Sequence, residues 1–114
     1  MKHITREGLK QLTDEGKDIV LLNTETAEEF SERHIPGSIN IYWRELAHKD
    51  NEAKLPKDKT IVVYCGSFTC GASAKGVGIL EVLGYTKILE YDGGIKDWEA
   101  AGYSVEKGKS GKIK

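Results

Sequence analysis

Cysteine, proline and long apolar stretches are all scarce in this chain of 114 residues. The longest apolar runs, 19–22 and 61–65, fall far short of the roughly 20 residues that a membrane-spanning helix needs. Two cysteines are too few for a disulfide framework. Cys65 and Cys70 also lack the second cysteine pair or nearby histidine that would complete a zinc site. The composition therefore excludes a disulfide-stapled scaffold and a zinc ribbon, and it makes the clustering of the two cysteines informative.

Neither sign of charge dominates the chain. Seventeen Lys and Arg residues face eighteen Asp and Glu residues, which gives a formal net charge of -1. No overall field therefore favours nucleic acid or an anionic membrane, and we expect neither as a partner. The first residues lack the apolar core and small-residue cleavage site of a signal peptide, so we expect a cytoplasmic location. We predict one domain over residues 1–106, followed by a flexible basic tail over 107–114.

Apolar patterning predicts strands that alternate with helices. Bounded apolar runs at 19–22 and 61–64 lack polar alternation, which indicates strands that are covered on both faces. Shorter strands are predicted at 39–41 and 88–91, and a polar loop over 48–59 is expected to be solvated. Alternating strands and helices with short connections favour an α/β fold, a central, mostly parallel sheet of about five strands with helices on both faces.

Capping residues mark where the helices begin and end. The first helix is predicted to follow Thr5 and to end at Gly16, and the second is predicted to be capped by Thr24 or Thr26. The third helix is predicted with Val77, Leu80 and Leu83 as its apolar residues, and the inner face of the last helix is assigned to Ile95, Trp98 and Ala101. The close spacing of Gly76 and Gly78 in the third helix indicates either close packing or local softness.

Cys65 follows directly on the predicted strand 61–64 and opens a loop that leads into a helix. Ligands of open α/β sheets bind beyond the carboxyl ends of the strands. Loop N–H groups and the N-terminus of the next helix would stabilise an anion there, which predicts a lowered pKa and a thiolate at neutral pH. The alternative role is that of a small buried apolar residue. The glycines and hydroxyl residues of the loop favour a nucleophile.

Cys65 is therefore the candidate catalytic residue. The candidate substrate-binding loop consists of Gly66, Ser67, Phe68, Thr69, Cys70, Gly71, Ala72 and Ser73, with the helix beginning after Ser73. Cys70 has two open roles, an apolar filler or a resolving thiol that attacks a modified Cys65. Phe68 is expected to pack on the following helix rather than to form an apolar rim over the pocket, and His34 is expected to be structural rather than a general base.

Three segments resemble the rhodanese-like domain family in the same order and spacing. They are 22–30 continuing into His34-Ile35-Pro36-Gly37-Ser38-Ile39-Asn40-Ile41, then Val63-Tyr64-Cys65, and finally 83–85 with Tyr91-Asp92-Gly93-Gly94-Ile95-Lys96-Asp97-Trp98 and 101–103. The resemblance implies a rhodanese-like three-layer fold and a single-domain sulfurtransferase. It implies that Cys65 takes sulfane sulfur from a donor such as thiosulfate or polysulfide and holds it as a persulfide. The sulfur would pass to a thiol, a cyanide-like acceptor or a protein acceptor, with no cofactor and no metal.

The chain departs from the family pattern at the site. Members often have Asp where Asn23 stands and Arg where Glu25 stands, so neither residue is assigned a role. Many members also carry a basic residue in the loop, whereas 66–73 has none and is predicted to be slightly longer than usual. The absence of a basic residue from the loop favours an alternative function, that of a non-catalytic or partner-loaded sulfur carrier or protein-binding module. A thiol redox protein that uses Cys65 and Cys70 is a third hypothesis.

Overall fold

The computed structural model describes residues 2–108 of the chain. The strands are β1 (Lys2–His3), β2 (Ile19–Asn23), β3 (Ile39–Asn40), β4 (Thr60–Tyr64) and β5 (Ile88–Tyr91). The helices are α1 (Arg6–Asp14), α2 (Ala27–Glu32), α3 (Ala72–Val82) and α4 (Gly94–Ala100), and two 3₁₀ helices, Trp43–Glu45 and Lys49–Ala53, lie between β3 and β4. Within residues 2–108, no helix has the length and apolar character that crossing a membrane requires.

The five strands form one sheet in the order β1-β5-β4-β2-β3, and every neighbouring pair is parallel. The predicted α/β fold with a parallel sheet is thus confirmed. β4 occupies the centre, where Tyr64 lies in register with Asn23 of β2 and with Tyr91 of β5. Since all strands run the same way, the residues that follow β4 and β5 meet at one edge of the sheet.

Successive residues of β4 point to opposite faces, as the lack of polar alternation predicted. Ile61 and Val63 belong to a core on the α3 side, while Val62 and Tyr64 belong to a core on the side of α1 and α4. The residues that complete the α3-side core are Leu22, Ile41, Leu46, Leu55, Val77, Leu80 and Tyr85. Those that complete the opposite core are Leu9, Leu21, Ile35, Tyr91, Ile95 and Trp98.

The predicted caps of α1 and α2 are confirmed. Thr5 Oγ1 accepts a hydrogen bond from the backbone N–H of Gly8 at 3.1 Å. Thr26, rather than Thr24, caps α2, in a capping box with Glu29. The Thr24 hydroxyl is buried and donates to the carbonyl of Tyr64 at 3.2 Å. Thr24 thereby ties β2 to the last residue of β4.

One sequence prediction on the α3 side is wrong, and one apolar residue of the predicted helix lies apart from the core. Leu83 is 37 % exposed, because the chain reverses at Gly84 and Tyr85 fills that part of the core. The loop 48–59 was expected to be solvated, yet Leu55 is 2 % exposed and accepts a hydrogen bond from the Tyr85 hydroxyl at 2.6 Å. A 3₁₀ helix inside this loop buries Asn51, whose Nδ2 donates to the Glu45 carbonyl at 2.8 Å.

The predicted tail falls mainly outside the described residues, since 109–114 are not among them. Its first part is fixed to the domain, because the backbone N–H of Gly108 donates to the Ser31 carbonyl at 2.8 Å.

The two glycines of α3 have different surroundings. A Cβ atom at Gly76 would lie 2.9 Å from Thr24 Cγ2 and 3.3 Å from Leu46 Cδ1, so this glycine lets α3 pack closely on the sheet. Among residues 2–108, nothing lies within 4 Å of the corresponding position at Gly78. Close packing therefore explains the glycine at position 76 but not the glycine at position 78.

This difference predicts opposite effects of one substitution at two sites in the same helix. Gly78→Ala should raise the free energy of unfolding by about 0.5–1 kcal/mol, because alanine favours helix and meets free space. Gly76→Ala should lower it by about 1 kcal/mol or more, because the methyl group must displace the buried, hydrogen-bonded Thr24. Urea unfolding of both variants measures the difference, and equal stabilisation by both would contradict the close packing of α3.

Candidate functional site

Cys65 lies at the carboxyl end of the central strand β4 and is 1 % exposed. Its thiol donates a hydrogen bond to the backbone carbonyl of Cys70 at 3.4 Å, so the loop folds back over the sulfur. Both cysteines are free thiols, and Cys70 is half-buried. The structure thus brings together the two cysteines that the sequence analysis singled out.

The loop is shorter than predicted. Helix α3 begins at Ala72, with Gly71 as its N-cap residue, and the Lys75 N–H donates to the Gly71 carbonyl at 3.1 Å. The prediction that the helix starts after Ser73 is therefore wrong, and Ala72 and Ser73 belong to its first turn. Serine is common at the N-cap position, but in this chain Gly71 takes that position, two residues earlier than Ser73. The loop proper runs over 66–71.

The first turn of α4 holds the beginning of the loop. The N–H groups of Ile95 and Lys96 donate to the carbonyls of Cys65 and Gly66 at 3.0 and 2.9 Å. This approach requires a glycine at position 94, where φ is +68° and a Cβ atom would lie 2.5 Å from the Cys65 carbonyl oxygen. The Asp92-Gly93-Gly94 turn of the sequence thus becomes the support of the candidate site.

The tip of the loop points into solvent. The Cys70 N–H donates to the Ser67 carbonyl at 3.1 Å, and the hydroxyls of Ser67 and Thr69 lie 3.1 Å apart. Phe68, between them, is 72 % exposed. The expectation that Phe68 packs on α3 is therefore wrong, because this tight turn directs its ring away from the helix and to the edge of a groove with Tyr91 and Asp92.

The environment of Cys65 disfavours negative charge. Burial raises the pKa of the Cys65 thiol to about 11, and Cys70 acts in the same direction. The backbone N–H of Ser73 opposes this shift without cancelling it. The predicted thiolate at neutral pH is therefore contradicted: the loop presents the carbonyl of Cys70 to the sulfur, and 66–71 contributes no cation.

Behind the sulfur lies a carboxylate that the sequence analysis missed. Ser73 Oγ donates to Glu90 Oε2 at 2.8 Å, and Glu90 is 7 % exposed. Glu90 is on β5, in register with Val63 of β4, so it reaches the first turn of α3 from the neighbouring strand. Residues 73 and 90 meet only through the sheet register, which left no local signal in the sequence.

A second carboxylate touches the loop from the opposite side. A Cβ atom at Gly66 would lie 2.8 Å from Glu25 Oε2, so the glycine makes room for this side chain. Asn23 positions it, since Asn23 Nδ2 donates to Glu25 Oε1 at 3.1 Å and the Glu25 N–H donates to Asn23 Oδ1 at 2.8 Å. Burial raises the pKa of the Glu25 carboxyl. The sequence analysis left both residues without a role.

One group of side chains within residues 2–108 has the composition of a metal site. The ligand atoms of His3, Glu90 and Asp92 lie within 4.8 Å of one another. His3 Nδ1 already pairs with Asp92 Oδ1 at 2.7 Å, and Glu90 already accepts from Ser73. These contacts account for the group as a hydrogen-bonded His3–Asp92 pair beside a buried hydrogen bond.

His34 has the structural role that the sequence analysis expected. Its ring is fully buried and stacks on Phe30 with 3.8 Å between the ring centroids, and Nδ1 lies 2.9 Å from the Phe30 carbonyl. Its backbone pairs with Glu106 in an isolated antiparallel bridge. These contacts join the end of α2 to the end of the domain.

Comparison with known proteins relates the chain to one family. The model of the Rhodanese-like domain matches residues 5–101. The HTH-type transcriptional regulator Rv0324 of Mycobacterium tuberculosis is 35 % identical over 105 residues, which cover 92 % of this chain and 45 % of the regulator. The thiosulfate sulfurtransferase GlpE of Pseudomonas savastanoi is 30 % identical over 87 % of this chain and 88 % of its own. The crystal structure of the BH2092 protein from Bacillus halodurans superimposes with a TM-score of 0.87 at 26 % identity and covers 99 % of this chain and 82 % of that one.

The support of the loop by α4 predicts a large effect of Gly94→Ala. The methyl group would meet the backbone of Cys65, Gly66 and Ser67, which cannot move without breaking two hydrogen bonds. We expect a loss of about 2–4 kcal/mol in the free energy of unfolding. Gly102→Ala is the matched control, because φ is +84° there but nothing in the described chain lies within 4 Å, so it should cost only about 1–2 kcal/mol. Similar losses in denaturant titrations of the two variants would contradict the close contact.

The raised pKa predicts slow alkylation of Cys65 at neutral pH. The rate with iodoacetamide should rise about tenfold per pH unit and show no plateau up to about pH 10, because the thiolate fraction limits it. Peptide mass spectrometry of the wild type separates modification of Cys65 from that of Cys70. A plateau at or below about pH 8 would restore the thiolate that the sequence predicted.

Proposed function

Because the chain belongs to the rhodanese-like domain family, we propose that it is a sulfurtransferase that carries sulfane sulfur as a persulfide on Cys65. One observation carries the proposal. Cys65 ends the central strand of the parallel sheet, under a loop that α3 and α4 hold at both ends. A residue in this place faces the crevice where open α/β sheets bind their ligands.

The proposed reaction has two steps. The Cys65 sulfur attacks the outer sulfur of a donor, and the donor leaves with the electron pair of the bond that breaks. An acceptor nucleophile then attacks the outer sulfur of the persulfide, and the electron pair of the Cys65–sulfur bond returns to Sγ. Sulfane sulfur moves without net oxidation or reduction, so the chemistry requires neither a metal nor an organic cofactor.

In this proposal, the loop residues stabilise the persulfide form of Cys65. A persulfide is more acidic than a thiol, and its outer sulfur extends beyond the buried Sγ toward the segment 66–71. The backbone N–H of Ser73, which already favours a charged Cys65 sulfur, lies at the start of α3 where the helix dipole also favours an anion. Gly66, Ser67, Phe68, Thr69, Cys70, Gly71, Ala72 and Ser73 are thus proposed to surround the transferred sulfur.

The raised pKa of Cys65 supports a second candidate function, that of a carrier loaded by a partner. With a pKa of about 11, roughly one thiol in ten thousand is ionised at pH 7, so attack on a weakly reactive donor is slow. A partner protein that presents a reactive persulfide would compensate for this. The resolving role proposed for Cys70 would follow loading, with attack on the Cys65 persulfide to form a disulfide and release sulfide.

Intact-mass spectrometry tests the proposed function. After incubation with inorganic polysulfide, the wild type and Cys70→Ser should each gain the mass of one sulfur atom, and cyanide should remove it as thiocyanate. Cys65→Ser should gain none, because Cys70 does not lie at the end of β4. Loading at Cys70 in the Cys65→Ser variant, or no loading of the wild type, would contradict the proposal. Loss of two hydrogens under mild oxidation, without sulfur gain, would favour the redox alternative.

A further inference from the structure

Charge is distributed unevenly around the loop 66–71, which itself carries none. A groove of about 260 Å³ on one side has Glu25, Glu29, Glu32, Arg33 and Lys96 as its charged lining residues. A groove of about 470 Å³ on the other side has Arg6, Glu7, Asp92 and Asp97, with His3. Acidic residues outnumber basic ones in both grooves.

Both arginines of these grooves are paired with carboxylates. Arg33 Nε pairs with Glu99 at 3.1 Å, outside the first groove. Arg6 pairs with Glu7 through Nε and with Asp97 through Nη1, both at 3.2 Å, and Asp92 contacts His3, so the acidic residues of the second groove are themselves paired. In the first groove three carboxylates face Lys96, which forms no ion pair among the described residues, so the excess of negative charge lies on the Glu25 side of the loop.

Two further cationic side chains of the described chain contact an indole ring and not the loop. Arg44 and Lys75 each place their charged group 4.6 Å from the centroid of the Trp43 indole ring. Such contacts hold a cation against the aromatic face. Neither residue lines the two grooves that flank the loop.

Glu25 is the carboxylate in direct contact with the loop. Its Oε2 faces Gly66, the residue that follows Cys65, while Asn23 donates to Oε1. Burial raises the pKa of this carboxyl, and the hydrogen bond from Asn23 opposes that shift. When the carboxyl is ionised, its negative charge lies beside the residue that follows Cys65.

We propose that Glu25 makes the persulfide on Cys65 discharge faster to neutral or cationic small thiols than to anionic thiols of the same size. This inference rests on the proposed function and defines its substrate class. An anion that approaches the outer sulfur of the persulfide meets a fixed carboxylate and no compensating cation in the loop. A neutral thiol of the same size meets no such repulsion.

The selective step is the discharge of the persulfide. The acceptor thiolate attacks the outer sulfur of Cys65–S–SH, a new sulfur–sulfur bond forms, and the bond to Cys65 breaks with its electron pair on Sγ. Sγ then takes the proton that the acceptor thiol lost to solvent. The products are the acceptor persulfide and the Cys65 thiol, so atoms, charge and oxidation level balance.

The test compares two acceptors of similar size, 2-mercaptoethanol and its anionic analogue 2-mercaptoethanesulfonate. Protein loaded with polysulfide is mixed with each, and intact mass follows the loss of sulfur over time. In the wild type the neutral thiol should discharge the persulfide about tenfold faster, and added salt should reduce this ratio. In Glu25→Gln, which keeps the acceptor oxygen for Asn23, the ratio should fall several-fold.

Glu81→Gln is the matched control, because it removes the same charge from an exposed position near the far end of α3. It should keep the wild-type ratio. An unchanged ratio in loaded Glu25→Gln, or an equal fall in Glu81→Gln, would overturn the inference while the persulfide mechanism stands. A wild type that takes up no sulfur would overturn the proposed function instead, and the mass spectrum separates these results.

Discussion

Two hydrogen bonds from the first turn of α4 to the carbonyls of Cys65 and Gly66 hold the candidate site together. They fix the direction in which the chain leaves β4 and thus the place of the sulfur. They form only because Gly94 adopts a positive φ and has no side chain. The loop is therefore determined by an element nearly 30 residues further along the chain as much as by its own sequence.

At three positions near the end of β4, a glycine allows a neighbouring group to approach closely. Gly94 admits the loop backbone, Gly66 admits the carboxylate of Glu25, and Gly76 admits the side chain of Thr24. Thr24 in turn donates to the carbonyl of Tyr64, the residue before Cys65. Each close approach removes a degree of freedom from the end of β4. The Cys65 sulfur thus sits on closely packed supports, while the turn at Phe68 is exposed.

Apolar periodicity was sufficient to predict the fold and the position of Cys65. The unbroken runs in β2 and β4 indicate burial on both faces, and that burial decides the parallel sheet and its helical layers. Properties that depend on contacts between distant segments could not be predicted. The pKa of Cys65 depends on which group of the loop faces the sulfur, and the carbonyl of Cys70 rather than an N–H does so. Glu25 and Glu90 reach the site through strand register, which residue order does not reveal.

In the proposed function, the raised pKa of Cys65 also affects the direction of sulfur transfer. In thiol exchange a sulfur of high pKa is a strong nucleophile once ionised but a poor leaving group. A persulfide on such a sulfur is slow to discharge, because discharge must return negative charge to a buried Sγ that lacks a cation. The site therefore favours retention of sulfur over release to a dilute acceptor. Release becomes favourable when an acceptor brings its own positive charge or excludes water with its own surface, since either changes the environment that raises the pKa. The same burial that weakens Cys65 as a free catalyst thus suits it to hold sulfur until such an acceptor binds.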